Sequence, residues 1–187
     1  MRAKVPFKHG AWPSFWMQAT PRLQKCPWMS EVDIFENFSS TDSVIANLHK
    51  WHFGEKPNVH VMLPNDARGL APWRTHLFED SGRLNEEFHT YGLEWTPTEM
   101  TFFVDGIRFA HVAIDEAHDY SPDNALVSGM AGHQDYHSII LNNEVFTPGH
   151  GWCPGGYELK PEDLPIHYQV DWIRLWQKDG EHLNVMQ

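Results

Sequence analysis

Three carboxylates crowd one short, otherwise apolar stretch, S-E-V-D-I-F-E-N-F: Glu31, Asp33 and Glu36. Acids this close cannot all ionise cheaply, so one of them should hold a proton at neutral pH. A protonated carboxyl beside an ionised one is the equipment for cutting a glycosidic bond. One protonates the leaving oxygen, and the other attacks or steadies the sugar carbon. The plain alternative is an acidic, solvent-facing strand. Three acids among large apolar residues are costly unless exposed or put to use.

The spacing poses a problem for a regular strand. Glu31 and Asp33 are two apart and share a face, whereas Glu36 is five from Glu31 and should point the other way. A β-bulge near Ile34-Phe35 adds one residue, resets the alternation and returns Glu36 to its companions. Four strand steps then span about 13 Å. Long Glu arms leaning together can close much of that gap, towards the roughly 5–5.5 Å that a retaining glycosidase needs.

The elements that must carry these acids read as strands between turns. Runs such as RAKVPF, NVHVML, TYGLEW, MTFFVDG, IRFAHVAI, HSIILNNEVF and HYQVDWIRLW are rich in β-branched and aromatic residues. Asp105-Gly106 predicts a two-residue type I′ hairpin. DWIRLWQ alternates, with Trp172, Arg174 and Trp176 on one face and Ile173 and Leu175 on the other. Helical hints are weak and confined to Pro122 to Val127 and Lys160 to Leu164. With no internal repeat or linker, 1–187 reads as one all-β domain, a sandwich of two antiparallel sheets.

Bulk properties narrow the function. The net charge of −11 argues against nucleic acid as the main partner. No run approaches the length of a membrane helix, and MRAKVPFKHG has no apolar core of a signal peptide. Cys26 and Cys153 allow one disulfide or two free thiols. The nine Trp suit either a large aromatic core or a cleft lined with rings for sugar faces. His49/His52 and His133/His137 stand at ligand-like spacings, but Gln134 occupies the place where a zinc-hydrolase motif needs Glu.

Four ordered blocks carry a resemblance. EVDIFE resembles the bulged E-x-D-x-x-E signature of glycoside hydrolase family 16. RAKVPFKHGAWPSFWM, EEFHTYGLEWTPTEMTFFVDG and QVDWIRLWQ are similar to that family's flanking segments. The resemblance implies a concanavalin-like jelly roll with a concave substrate cleft. It also implies internal cleavage of a β-linked glucan or galactan with retention of configuration. Glu31 would be the nucleophile, Glu36 the general acid/base, and Asp33 would hydrogen-bond to Glu31 between them. Trp12, Trp16, Trp28, His49, Trp51, Asn142 and Glu144 would line the substrate cleft. No cofactor would be needed for catalysis, and Asp171 matches a position used for a structural calcium. The family points to an extracellular or periplasmic location. The resemblance starts inside the family's domain, so the first strands are expected to be missing. Exposed sheet edges would then favour a homodimer. WPSFW and PWMSE look like β-1,3-glucanases, while LNNEVF looks closer to enzymes acting on algal galactans. The competing reading is a lectin-like domain that grips sugar without cutting it.

Overall fold

The computed structural model describes residues 1–6, 8, 10–19, 28–37, 44–52, 59–62, 84–96, 99–113, 137–146 and 159–178. Cys26, Cys153, His133 and the helical hint at Pro122 to Val127 lie outside the described residues. Among the described residues there are ten strands: β1 Arg2–Lys4, β2 Ala11–Ala19, β3 Trp28–Glu36, β4 Ile45–His52, β5 Val59–Met62, β6 His89–Trp95, β7 Glu99–Val104, β8 Ile107–Ala113, β9 His137–Val145 and β10 Gln169–Trp172. They form two antiparallel sheets, ordered β10-β1-β6-β7-β8 and β5-β4-β3-β2-β9. The fold is an all-β jelly-roll sandwich.

The inner faces interdigitate as the alternation requires. Phe15, Val32, Phe35 and Leu48 from one sheet meet Tyr91, Phe102 and Val104 from the other in a single buried cluster. Phe35 packs against Tyr91 across the gap, the rings tilted by 35° with centroids 4.4 Å apart. Towards one end the sheets part around a cavity of about 490 Å³, lined in part by Met17, Leu93, Trp95 and Trp172. Ile139 of β9 lines it too, and Ile139, Leu141 and Val145 along that strand remain at least about one-third exposed.

Most strands fall where the residue patterns place them. The Asp105-Gly106 hairpin has positive φ at both central residues, 50° and 76°, as a type I′ turn demands. Around Lys160 to Leu164 there is only a short 3-10 turn, Pro161–Asp163. β10 ends at Trp172, so the alternation through Trp176 does not continue as strand. Ile173, Leu175 and Trp176 are exposed beyond it.

The feature that matters for chemistry is in β3. On its β4 side Asp33 faces Asn47 and Glu36 faces Ile45, so Ile34 and Phe35 together oppose Ala46 alone. On its β2 side Phe35 faces Phe15 and Asp33 faces Trp16, leaving Ile34 as the extra residue. This is a β-bulge at the predicted step. Both bulge residues are buried, Ile34 at 4% and Phe35 at 0% exposure, so the irregularity is packed into the core.

Candidate active site

The bulge brings Glu31, Asp33 and Glu36 to one face of the sheet, and the registers supply their neighbours. Gln18 lies opposite Glu31, Trp16 opposite Asp33 and Ser14 opposite Glu36. On the other side His49 lies opposite Glu31 and Asn47 opposite Asp33. Each carboxyl is nonetheless largely withdrawn from water: Glu31 is 9%, Asp33 2% and Glu36 7% exposed.

Each glutamate has its own set of donors. Glu31 Oε2 accepts from Gln18 Nε2 and from Trp51 Nε1, each at 2.9 Å. Glu36 accepts from Trp12 Nε1 at 2.9 Å on Oε1 and from Asn47 Nδ2 at 2.6 Å on Oε2. Asp33 lies between them, close enough for its charge to raise Glu36 and for the charge of Glu31 to raise it in turn. Glu31 thus bears on Asp33 as a neighbouring charge. The Asp33 Oδ2 is buried and has no hydrogen-bond partner among the described residues. His49 Nε2 stands 2.8 Å from that oxygen and 3.9 Å from Glu31 Oε1. The 2.8 Å contact is not aligned as a ring N–H bond.

The electrostatics follow from this crowding. Burial, reinforced by the Asp33 charge, pushes Glu36 up to about 8 from its ordinary 4.5. Burial, then Glu31, holds Asp33 well above the usual range. Glu31 is also raised by burial, but His49, Trp51 and Gln18 oppose the rise. Burial lowers His49, and the nearby carboxylates pull the other way. Two acids are thus kept towards the neutral form, while the third is the one best supplied to be ionised. That is the division of labour a two-carboxylate hydrolysis needs.

The other expected residues fall around this cluster. Trp12 packs on Phe146 with centroids 5.6 Å apart, and Trp51 stacks on His49 at 5.5 Å. Trp16 donates from Nε1 to Asn142 Oδ1 at 2.7 Å, tying β2 to β9. Glu144 lies opposite Trp12 in register and is exposed. Trp28 opens β3, but its side chain is outside the described part. Asp171 lies on the other sheet, where its Oδ2 pairs with Arg2 Nη1 at 2.5 Å. Gln18 and Asn47 were not foreseen as donors to the acids. Extending the period of two from Trp16 and back from His49 would have found both.

Residues 1–135 match the profile described as Glycosyl hydrolases family 16. The chain belongs to this family. The family 16 chain is 26% identical over 181 residues to a beta-glucanase of Rhodothermus marinus, covering 95% of this chain and 56% of that protein. It is 26% identical over 166 residues to beta-agarase B of Zobellia galactanivorans, covering 79% of this chain and 47% of that protein. Its fold is similar to that of a laminarinase from Flavobacterium sp. UMI-01, with a TM-score of 0.57 and 23% identity over 91% of this chain and 62% of that one. The chain thus spans less than two thirds of each of these relatives.

Proposed function

We propose that this chain is a retaining endo-β-glycanase that cuts internal β-1,3 or β-1,4 bonds of a glucan or galactan. The observation that carries this reading is the bulge, which sets Glu31 and Glu36 on one face in unequal surroundings. Glu31 attacks the anomeric carbon while Glu36 passes its proton to the departing glycosidic oxygen. The C–O bond to the leaving chain breaks, and a glycosyl ester forms on Glu31. Glu36, now ionised, takes a proton from water, whose oxygen displaces Glu31 and regenerates both groups. Asp33 modulates both steps as the buried neighbouring carboxyl whose charge raises Glu36. Trp12 and Trp51 orient the acids through their indole N–H groups, and their rings, with that of Trp16, offer sugar-stacking surface; Trp28 is the further stacking candidate by its place at the start of β3. His49, Asn142 and Glu144 supply hydroxyl-binding groups at the rim. None of these steps calls on a cofactor.

The glucanase and agarase relatives support the substrate class without choosing between the two polymers. We infer that residues 1–187 act as one catalytic unit placed outside the cytoplasm, where such polymers are met. Pairing of two copies along β9 is favoured by its exposed Ile139, Leu141 and Val145, and light scattering on the purified chain tests it.

The decisive assay measures new reducing ends from laminarin, mixed-linkage glucan, agarose and porphyran, with the anomer of the first product read by NMR. Cleavage with a retained anomer is expected on at least one polymer. Glu31→Ala should lose about 10³-fold or more, as removal of a covalent nucleophile does. Binding without any release of reducing ends would make the chain a lectin-like domain instead.

A further inference from the structure

We propose that Glu31, Asp33 and His49 form a divalent-cation site, selective for a zinc-like ion, which switches the cleft off when filled. One donor atom from each residue lies within 4.8 Å of the other two. The His49 Nε2 separations, 2.8 Å to Asp33 Oδ2 and 3.9 Å to Glu31 Oε1, bracket the ligand–ligand edge of a zinc tetrahedron. With bonds of about 2.0–2.1 Å that edge is roughly 3.3 Å. Small side-chain shifts of opposite sense would therefore equalise the two edges.

A second observation points to a ligand. Asp33 is 2% exposed, and its Oδ2 has no hydrogen-bond partner among the described residues while facing His49. A buried acceptor with nothing to accept from is costly, and a cation would satisfy it. The other oxygen of Glu31 is already engaged: Oε2 takes Gln18 and Trp51, which leaves Oε1 turned towards His49. These outer bonds fix the ligand as bonds behind a metal site do. Two carboxylates would match the charge of a dication. One imidazole with two carboxylates is a donor set that zinc accepts, with a fourth position open to water. The ion has a way in, since the side chains of His49 and Glu31 keep 15% and 12% of their surface exposed.

The inhibition rests on the assignment of Glu31 as nucleophile; the binding does not. A metal on Glu31 Oε1 would occupy the electron pair that must attack the sugar. The site is thus the reverse of a metal hydrolase, because filling it stops the reaction.

The test is equilibrium dialysis of the full chain against zinc alone, with a parallel glycanase assay. One saturable zinc per chain is expected. Asp33→Asn and His49→Gln should weaken it by at least about 10-fold, the loss that follows removal even of a group that only orients a ligand. His111→Gln, at an exposed His–Glu contact on the other sheet, should bind zinc like the parent. Circular dichroism checks that each variant is folded, and Asp33→Asn, which keeps the shape of the side chain, carries the test if His49→Gln is not. Zinc should abolish cleavage and a chelator restore it. The proposal is overturned by the absence of one-to-one binding, by variants that bind as the parent does, or by zinc that activates. A chain that binds zinc yet cuts no polymer when metal-free would overturn the glycanase reading and leave the site standing.

Discussion

Two histidine–aspartate pairs sit at two backbone irregularities, one in each sheet. Asp33 and His49 meet at 2.8 Å beside the bulge of β3. Asp105 and His89 meet at 2.6 Å at the tight turn between β7 and β8. The residue types are the same, yet the carboxyls are driven in opposite directions. Asp105 is part-exposed and accepts from Thr90 N at 2.7 Å, from Thr90 Oγ1 at 3.1 Å and from His89. Burial opposes ionisation there, but the His89 and Thr90 bonds outweigh it and bring the pKa below its ordinary value. Asp33 is deeply buried beside Glu31, and both causes favour its neutral form. A histidine neighbour therefore does not decide what a carboxylate does. The number of donors, the depth and the like charges around it decide. One pair clips a hairpin to its neighbouring strand; the other belongs to a cluster held away from its ionic ground state.

The comparison breaks most violently if the acid beyond the bulge is removed. Deleting Ile34 would only leave E-V-D-F-E, still same-faced by strict alternation, so the informative cut is Glu36→Ala, which keeps the bulge and takes the third carboxyl away. Cleavage should then fall by about 10³-fold or more, since acid/base assistance is lost together with the pairing of carboxyls. Activity close to the parent level would mean that Glu36 is not the acid. A gentler cut is Glu36→Gln, which keeps the shape and one acceptor oxygen but cannot ionise. Because Glu36 is raised from 4.5 to about 8 in the folded chain, its contribution to stability is full below the unfolded value. It is lost as pH rises through about 8. Thermal melts of the parent should therefore weaken between about pH 4.5 and pH 8 by up to a few kcal/mol, at about 1.4 kcal/mol per unit, and level off above that. Glu36→Gln should flatten that decline. Asp105 slopes the other way: its depressed pKa stabilises above the unfolded value and is lost as pH falls through the folded one.

How much of this was legible in the residues depends on the range of the interaction. The five-residue gap between Glu31 and Glu36 announced the bulge, because a period of two leaves no other simple way to join them. The Asp105-Gly106 turn was equally plain, since its chemistry is local. β2 and β4 were harder to see. Pro13 interrupts one, and the other, IANLHKWH, mixes polar and apolar residues because its outer face serves the acids. Trp12 and Trp51 were legible as cleft rings but not as donors to Glu36 and Glu31. That role depends on cross-strand register, which no single segment encodes. The depth of Asp33 was hidden for the same reason, and with it the contrast to Asp105. LNNEVF gave Asn142 as a cleft residue, while its bond to Trp16 again required two strands to be laid side by side.

The paired substitutions Asp33→Asn and Asp105→Asn sharpen the contrast directly. At Asp33 the amide mimics the protonated acid, so stability should hold within about 1 kcal/mol while kcat falls, by roughly 10- to 100-fold for a group that tunes a proton transfer. At Asp105 the amide keeps the positive φ but loses the charge that His89 and Thr90 recognise. Stability should drop by about 1.5–3 kcal/mol, the value of hydrogen bonds to a charged group, with kcat unchanged. Denaturant melts and steady-state kinetics on the same two proteins read both axes. Matching profiles for the two variants would erase the distinction between clip and cluster.

The smallest effect belongs to a third pair, His111 and Glu99, in contact at 3.1 Å with both side chains more than one-third exposed. Here water screens the charges, no buried group is orphaned when one partner goes, and two side chains must be ordered to make the contact. His111→Gln should therefore change stability by less than about 0.5 kcal/mol and leave kcat alone. The measurement sets the floor for the other two pairs. If His111→Gln costs as much as Asp105→Asn, proximity alone stabilises these pairs, and burial and donor count do not rank them. If it is silent while Asp105→Asn unfolds and Asp33→Asn slows the chemistry, three pairs with almost the same separation have three different consequences. Distance is then the least informative thing about them.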